Sequence, residues 1–516
     1  MQPQNQFSLF GNVQANEAEQ NSEVKKKREE FATEIRSRER NNIINNKRLA
    51  QNNQVNQIPE SLPLIPPTLP QDLQLALKTQ QEQLMKRSFS FEDFPDVLQK
   101  IFSTDVLQLH YGVTGLRKML SVESGAPIQQ VIDANLVPKL IDMIQKEQIP
   151  QLVLEAAWAL TNVASGTTQQ TQSIIDKGGI YLFVKLLSSQ YRDIAEQAVW
   201  AIGNIAGDCT QYRDLILRVG GVDPLITIMQ NSPNKNTIKH CTWSLSNLCR
   251  GKPIPDFKYV KNALPVFCKV IIDETDPEVL TDACWALSYL SDGDNSRLQT
   301  VIDSQVVPTL IKLLDHSSLQ LVIPTLRILG NVVTGDETQT TYVLNQGLLL
   351  KIPKLLSHDK KAIRREACWT ISNITAGSSN QVSQVVRDSA ILEKLFTLMT
   401  TDVEEIVREA TWAISNSTKH GSNSDIQLLV QKGLLNVFKQ LLEGDDTQTM
   451  TVVLEALLNV LKRGDQDFKD DNYYLTQLEQ MGVISKIELL QKHQNQSVYQ
   501  KCFSILEQYY EAESEL

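Results

Sequence analysis

The sequence predicts an all-α chain: a superhelical solenoid of about ten three-helix repeats carrying a disordered basic arm at its N-terminus. Three observations predict it. A Trp-x-x-x-Asn pair recurs as Trp158 with Asn162, Trp200 with Asn204, Trp243 with Asn247, Trp369 with Asn373 and Trp412 with Asn416; the sixth Trp, Trp285, is followed by Tyr289 in the Asn place. Successive copies are 42 or 43 residues apart, and the same count passes through Arg327 with Asn331 and Glu455 with Asn459. Gly and Pro punctuate the chain at the same period. A helical repeat of about 40–47 residues is the mark of armadillo or HEAT stacks, whose helix sets bury one continuous core.

Residues 1–20 are polar and short of aliphatics, which predicts disorder. A basic arm follows over 21–55, with Lys25, Lys26, Lys27, Arg28, Arg36, Arg38, Arg40, Lys47 and Arg48. The chain as a whole carries a formal charge of -10. Residues 1–50 carry +2, so the remainder carries -12, and an arm of one sign on a body of the other suits pairing with an acidic partner. Residues 56–94, rich in Gln and Pro, read as an extended linker.

The helical body spans 95–510. Gly178, Gly220, Gly347, Gly433 and Gly482 each stand just before an apolar helix, where a Gly ends one helix and turns the chain. Pro138, Pro224, Pro265, Pro308 and Pro353 fall in the first turn of the following helix, where the missing N–H costs no bond. Each repeat therefore reads as a short helix, a middle helix and a longer helix bearing the Trp-Asn pair, which favours the three-helix armadillo unit, a right-handed superhelix. The count backward reaches Leu116 and forward Tyr499, in end repeats that lack the pair, as capping units do. Residues 511–516 form an acidic tail.

Composition excludes several function classes. The acidic body argues against nucleic acid as partner. Seven scattered Cys without a Cys-x-x-Cys pair indicate reduced thiols. No apolar run is long enough to span a membrane. There is no Gly-rich phosphate loop and no metal-spaced His/Cys set, so neither an enzyme nor a cofactor is expected. Asp292-Gly293-Asp294-Asn295 reads as a turn, since it lacks the spacing of a calcium loop.

Residues four apart share a helix face, so stacking the repeats aligns the pairs into a ladder. Buried Asn is costly without partners, so the ladder is expected to line an open groove. An Asn side chain both donates and accepts, and a row of them suits the main chain of an extended peptide. Rings in a row form slots for long aliphatic stems with cationic heads, each cation–π contact adding about 0.5–2 kcal/mol. Asp208, four residues after Asn204, suits an ammonium, and Glu366 and Glu409 each stand three residues before a Trp. Tyr289 and Arg327 interrupt the row. Two clusters result, 158–200–243 and 369–412, suited to two basic stretches on one ligand whose joint binding raises avidity.

These residues resemble a family. The block from Trp200 to Asp208 (Trp-Ala-Ile-Gly-Asn-Ile-Ala-Gly-Asp), the blocks at Trp158 and Trp285, the Arg327-x-x-Gly330-Asn331 step and the last repeat with Ile487, Glu488, Gln491, His493 and Tyr499 look like importin-α, over roughly residues 21–510. The resemblance implies an adaptor for nuclear import that binds lysine-rich nuclear localisation signals, of one or two basic clusters, in a concave groove. It implies a major site of Trp158, Asn162, Gly166, Thr171, Gln197, Trp200, Asn204, Asp208, Trp243 and Asn247, with Asp208 receiving the key lysine. It implies a minor site of Asn331, Thr340, Glu366, Trp369, Ser372, Asn373, Glu409, Trp412 and Asn416, with Arg327 marking the gap. By the same resemblance, the arm binds importin-β and occupies the empty groove as an internal mimic of cargo. A CAS-type exportin with RanGTP returns the adaptor, nucleoporins are met in transit, and the protein shuttles between cytoplasm and nucleus. The arm departs from the family in ending Asn46-Lys47-Arg48-Leu49 rather than in a Lys-Arg-Arg run, which leaves the strength of self-inhibition open. Two other readings are a β-catenin-like scaffold, which needs a groove lined with Lys and Arg, and an arm that is only this protein's own localisation signal.

Overall fold

A computed structural model describes residues 69–122, 125–145, 149–468 and 472–510. The polar N-terminus, the basic arm from Lys25 to Arg48 and the acidic tail 511–516 lie outside the described residues. Among those described, there are helices and no strand, and no helix is long and apolar enough to cross a membrane. Two compact units divide the chain, residues up to Leu225 and residues from Ile226.

In the first unit, repeats of three helices begin at Ile128–Asp133, Leu136–Gln145 and Pro150–Val163, then Thr168–Ile175, Gly179–Leu186 and Arg192–Asp208. Phe94–Ile101 and Val106–Leu120 precede them as an incomplete first repeat. Third helices stack in one layer, Val106–Leu120 on Pro150–Val163 and that on Arg192–Asp208. Every residue of Pro150–Val163 is buried, which is why its sequence lacks a polar face. In the second unit third helices form a layer of their own, Lys235–Cys249, Pro277–Leu290, Leu319–Val332, Lys361–Thr375, Glu404–His420, Thr447–Asp467 and Gln496–Tyr510, each helix packed on the next. The third helices of each unit carry its Trp-Asn positions.

The turn between first and second helices is left-handed in every repeat where the sequence places Gly: Gly178, Gly220, Gly347, Gly433 and Gly482 have φ between 72° and 99°. Asn135 and Gln305 hold the same conformation in two other repeats, at 55° and 59°. Asn is suited to it by local hydrogen bonding; nothing in the structure explains Gln305.

Within 56–94, expected to be an extended linker, Gln71–Lys86 is a helix. It has no Gly or Pro inside, and Leu77 and Leu84, seven apart on one face, are buried. It covers the incomplete first repeat. Gln80 Nε2 donates to the Leu107 carbonyl at 3.0 Å, and Lys118 Nζ donates to the carbonyls of Met85 and Arg87 at 3.0 and 2.8 Å. Burial holds the partnered His110 imidazole below its ordinary pKa.

The first helices of several repeats start on capping boxes: Thr167 with Gln170, Asp336 with Gln339, Ser378 with Gln381 and Ser422 with Asp425. The last is the most buried. Asp425 has no exposed surface, and its carboxylate accepts from Ser422 N and Oγ, Ser383 Oγ and Arg387 Nε. Burial alone would raise its pKa, but these donors hold it below the ordinary 3.8. Its stabilisation is therefore fully present well above the unfolded pKa of 3.8 and lost as pH falls through the lower native value. Asp425→Asn is expected to cost about 1–3 kcal/mol at pH 7 and to flatten the fall in melting temperature as pH drops below the ordinary 3.8. Thermal melts across that range, with an undiminished acid slope as the contrary outcome, check it.

A ladder of indoles, amides and paired charges

The ladder residues sit where the repeat count places them, on the third helices. Their surroundings differ from an open row of slots. Trp158, Trp200, Trp243 and Trp369 are only 8, 8, 2 and 6% exposed; Trp285 and Trp412 are half-buried. The Trp369 ring lies against Gly330 of the preceding repeat so closely that a Cβ there would stand 2.3 Å from it, which is why no larger residue fits before Asn331.

Asn162, Asn204, Asn247 and Asn331 are buried and Asn373 and Asn416 half-buried, and the amides are partnered. Asn204 Nδ2 donates to the Thr161 carbonyl at 3.3 Å, Asn373 Nδ2 to Gly330 at 3.2 Å and Asn416 Nδ2 to Ser372 at 2.8 Å. Asn331 reaches the Ser288 carbonyl at 2.9 Å and Ser291 Oγ at 3.0 Å, and Asn162 reaches Ser121 Oγ at 2.9 Å. Each bond crosses to the repeat before, about one period back in the chain. The cost of burying Asn, which in sequence alone favours an open wall, is met by these cross-repeat bonds. The amides are clamps between third helices. One donated bond does not exhaust a carboxamide, which has two donors and an acceptor oxygen.

Several residues carried over by resemblance have structural work. Thr171 and Thr340 are buried, and their hydroxyls donate to the carbonyls of Ala164 and Val333. At Gly166 a Cβ would meet Gln170 Oε1 at 2.3 Å, because that oxygen folds back to accept from Thr167 N at 3.0 Å. Gln197 Nε2 donates to Thr161 Oγ1 at 2.8 Å. Ser372 Oγ donates to the Trp369 carbonyl while its own carbonyl takes Asn416. Trp243 and Asn247 are buried in the second unit, on Lys235–Cys249.

The acids divide into two kinds. Asp208 ends the helix Arg192–Asp208, half-buried, with Oδ1 accepting from Thr168 Oγ1 at 3.0 Å. The helix C-terminus adds partial negative charge there, so the place favours a cation. Glu409, in Glu404–His420, is half-buried. Glu366 is 1% exposed, and both its oxygens are bound by Arg327, Nε at 2.6 Å and Nη2 at 2.6 Å. The Arg327 guanidinium in turn lies 5.6 Å from the Trp369 ring centroid.

Sequence reading did not single out the matching set in the first unit. Arg117 Nε and Nη2 donate to Glu155 Oε2 and Oε1 at 2.7 and 3.2 Å, and the Arg117 guanidinium stands 4.4 Å over the Trp158 ring. The signal was present, since Glu155 precedes Trp158 by the same three residues that separate Glu366 and Glu409 from their Trp. Asp294 of the turn at 292–295 caps the helix Asn295–Asp303, accepting from the N–H groups of Ser296 and Arg297.

Comparison with known proteins agrees with the period. The model "Armadillo/beta-catenin-like repeat" matches residues 126–165, 167–207, 209–250, 258–292 and 336–376, and "Atypical Arm repeat" matches 472–516. A crystal structure of an engineered protein aligns with a TM-score of 0.72 at 25% identity, over 80% of this chain and 98% of that one. "Importin subunit alpha-1a" of Oryza sativa subsp. japonica is 46% identical over 425 residues, 81% of this chain and 80% of that protein. "Importin subunit alpha-2" of Arabidopsis thaliana is 42% identical over 495 residues, 95% of this chain and 89% of that one. "Importin subunit alpha-B" of Dictyostelium discoideum is 51% identical over 247 residues, 48% of each chain. With the armadillo repeats, the interrupted Trp-Asn ladder and relatives this similar over four-fifths of their length, the chain belongs to the importin-α family.

Proposed function

We propose that this chain is a nuclear import adaptor that holds lysine-rich localisation signals against its Trp-Asn ladder. The observation that carries this reading is that the ladder's rings already take cations. A guanidinium rests on Trp158 in one unit and another on Trp369 in the other, each fixed by a carboxylate three residues before the ring. The chemistry asked of a ligand, an apolar stem over an indole with its charge beside an acid, is thus supported by two internal examples.

In the first unit, Trp158, Asn162, Trp200, Asn204 and Asp208 take the principal basic stretch, with Asp208 receiving one lysine ammonium. Trp243 and Asn247, on Lys235–Cys249 of the second unit, offer a ring and an amide of the same kind to a basic stretch. Thr171, Gly166 and Gln197 shape that wall from behind through the bonds above. In the second unit, Asn331, Trp369, Asn373, Glu409, Trp412 and Asn416 take a second basic stretch, while Thr340 and Ser372 support the backbone. Glu366 acts through Arg327. The arm 21–55 links the adaptor to importin-β and competes for the ladder; a CAS-type exportin with RanGTP recycles it.

Titrating a labelled peptide with a single lysine-rich cluster into the full chain and into a chain lacking residues 1–55 tests this. The shortened protein is expected to bind the peptide at least as tightly and to lose importin-β. Absence of peptide binding by both proteins would overturn the reading.

A further inference from the structure

We infer that Arg117 is a built-in end stop that fills the outer face of the first indole and so limits how many consecutive basic residues a ligand can place on the first unit's ladder. This rests on the peptide-binding reading above and names a specificity residue within it.

Arg117 comes from Val106–Leu120, the helix stacked before the one that bears Trp158. Its guanidinium has the two contacts that a ligand cation would seek. One is the Trp158 face, 4.4 Å away; the other is the Glu155 carboxylate, held in a two-point bond at 2.7 and 3.2 Å. The pair is well shielded, with 14% and 9% of the two side chains exposed, so solvent screens it little. A planar guanidinium bonded at two points and stacked on a ring has few other places to go.

The same construction recurs in the second unit, where Arg327 is clamped by Glu366 against Trp369. Arg117 and Arg327 are 210 residues apart, five periods of 42. Each unit thus has a ring whose preceding neighbour is an arginine of the chain itself. Before Trp200 the ladder position is Trp158, and the residue three before Trp200 is Gln197, an uncharged amide bonded to Thr161. The step before Trp158 thus holds an internal ion pair seated on the ring. A ligand that carries one basic residue more must displace Arg117 from both partners, and gains nothing by the exchange of one cation for another.

Removing Arg117 leaves a seat made of the Trp158 face and the Glu155 carboxylate. The test compares three full-length proteins, the parent, Arg117→Ala and Arg117→Ala/Glu155→Gln, by fluorescence anisotropy at fixed salt. The ligands are one labelled lysine-rich peptide and two extensions of it, by one lysine at either end. The parent protein is expected to bind all three within about twofold. Arg117→Ala is expected to bind one of the two extended peptides about 5–20-fold more tightly than the unextended one, and the double variant to lose that gain. Arg117→Gln, which keeps a neutral donor for Glu155 and no charge on the ring, gives the same comparison if the alanine variant folds poorly. No gain for either extension in the folded Arg117 variants would overturn the end stop while leaving the peptide-binding reading intact. Failure of the unextended peptide to bind the parent protein would remove that reading, and the end stop with it.

Discussion

Asp208→Lys is expected to weaken binding of a lysine-rich peptide by about 100-fold or more without changing the helical content. Two unit charges about 4 Å apart near a protein surface interact by roughly 4 kcal/mol, and the substitution turns that attraction into a repulsion. Each 1.4 kcal/mol is about tenfold in affinity, so 100-fold asks for only part of the Coulomb change and allows for screening. Thr168 Oγ1, 3.0 Å from Oδ1, fixes the carboxylate's orientation, so Thr168→Ala should cost a smaller factor of the same sign. The fold should tolerate the lysine. Asp208 is the last residue of its helix and half-buried, and a cation at a helix C-terminus is favourable. Anisotropy with a labelled single-cluster peptide and circular dichroism at 222 nm read the two halves of the statement. Parent-like affinity in the lysine variant would take Asp208 out of the main pocket.

What the sequence could show was whatever depends on period. The third helices, their stacking and the left-handed Gly junctions follow from residues spaced by 42 or 43, and the positions were readable without knowing any contact. The capping boxes at Thr167, Asp336, Ser378 and Ser422 were also legible in principle, because a cap and its partner lie three residues apart. The helix Gln71–Lys86 was obscured by composition: its glutamines suggest an extended linker, and only the spacing of Leu77 and Leu84 points the other way. Least legible was the fate of the ladder amides. Their acceptors are main-chain carbonyls and hydroxyls about forty residues back, and a backbone carbonyl carries no sequence signature. That is why the cost of burying Asn pointed to an open wall when the amides in fact tie one repeat to the next. Arg117 was missed for a related reason. It lies one residue beyond Leu116, the position the period indicates, and its role depends on a guanidinium reaching across to the next helix.

The second large effect concerns stability. Arg327→Ala is expected to destabilise the second unit by about 3 kcal/mol, towards the lower end of the cost of removing one partner of a buried ion pair, because Arg365 stays near the carboxylate. Glu366 is 1% exposed and accepts two bonds of 2.6 Å from Arg327, while Arg365 Nη2 forms a longer ion pair with it at 3.9 Å. The loss comes from the buried charge left with a weaker partner rather than from the value of the pair, so removing the charge should restore most of it. Arg327→Ala/Glu366→Gln is therefore expected to recover more than half of the lost stability, although it has one ionic group fewer than the single variant. A surface pair makes the contrast. Lys354 is 69% exposed where it meets Asp315, and Lys354→Ala should leave the unfolding midpoint unchanged, as screened surface pairs contribute little. Because the chain has two units, a single urea midpoint mixes their transitions. Hydrogen exchange resolved to Leu319–Val332 and Lys361–Thr375 separates them, and faster exchange should appear in those helices first. Unaltered protection there in Arg327→Ala would mean that Glu366 reaches water or another donor when its partner is gone. The guanidinium on Trp369 would then be a feature of the ladder's chemistry and not a support of the fold.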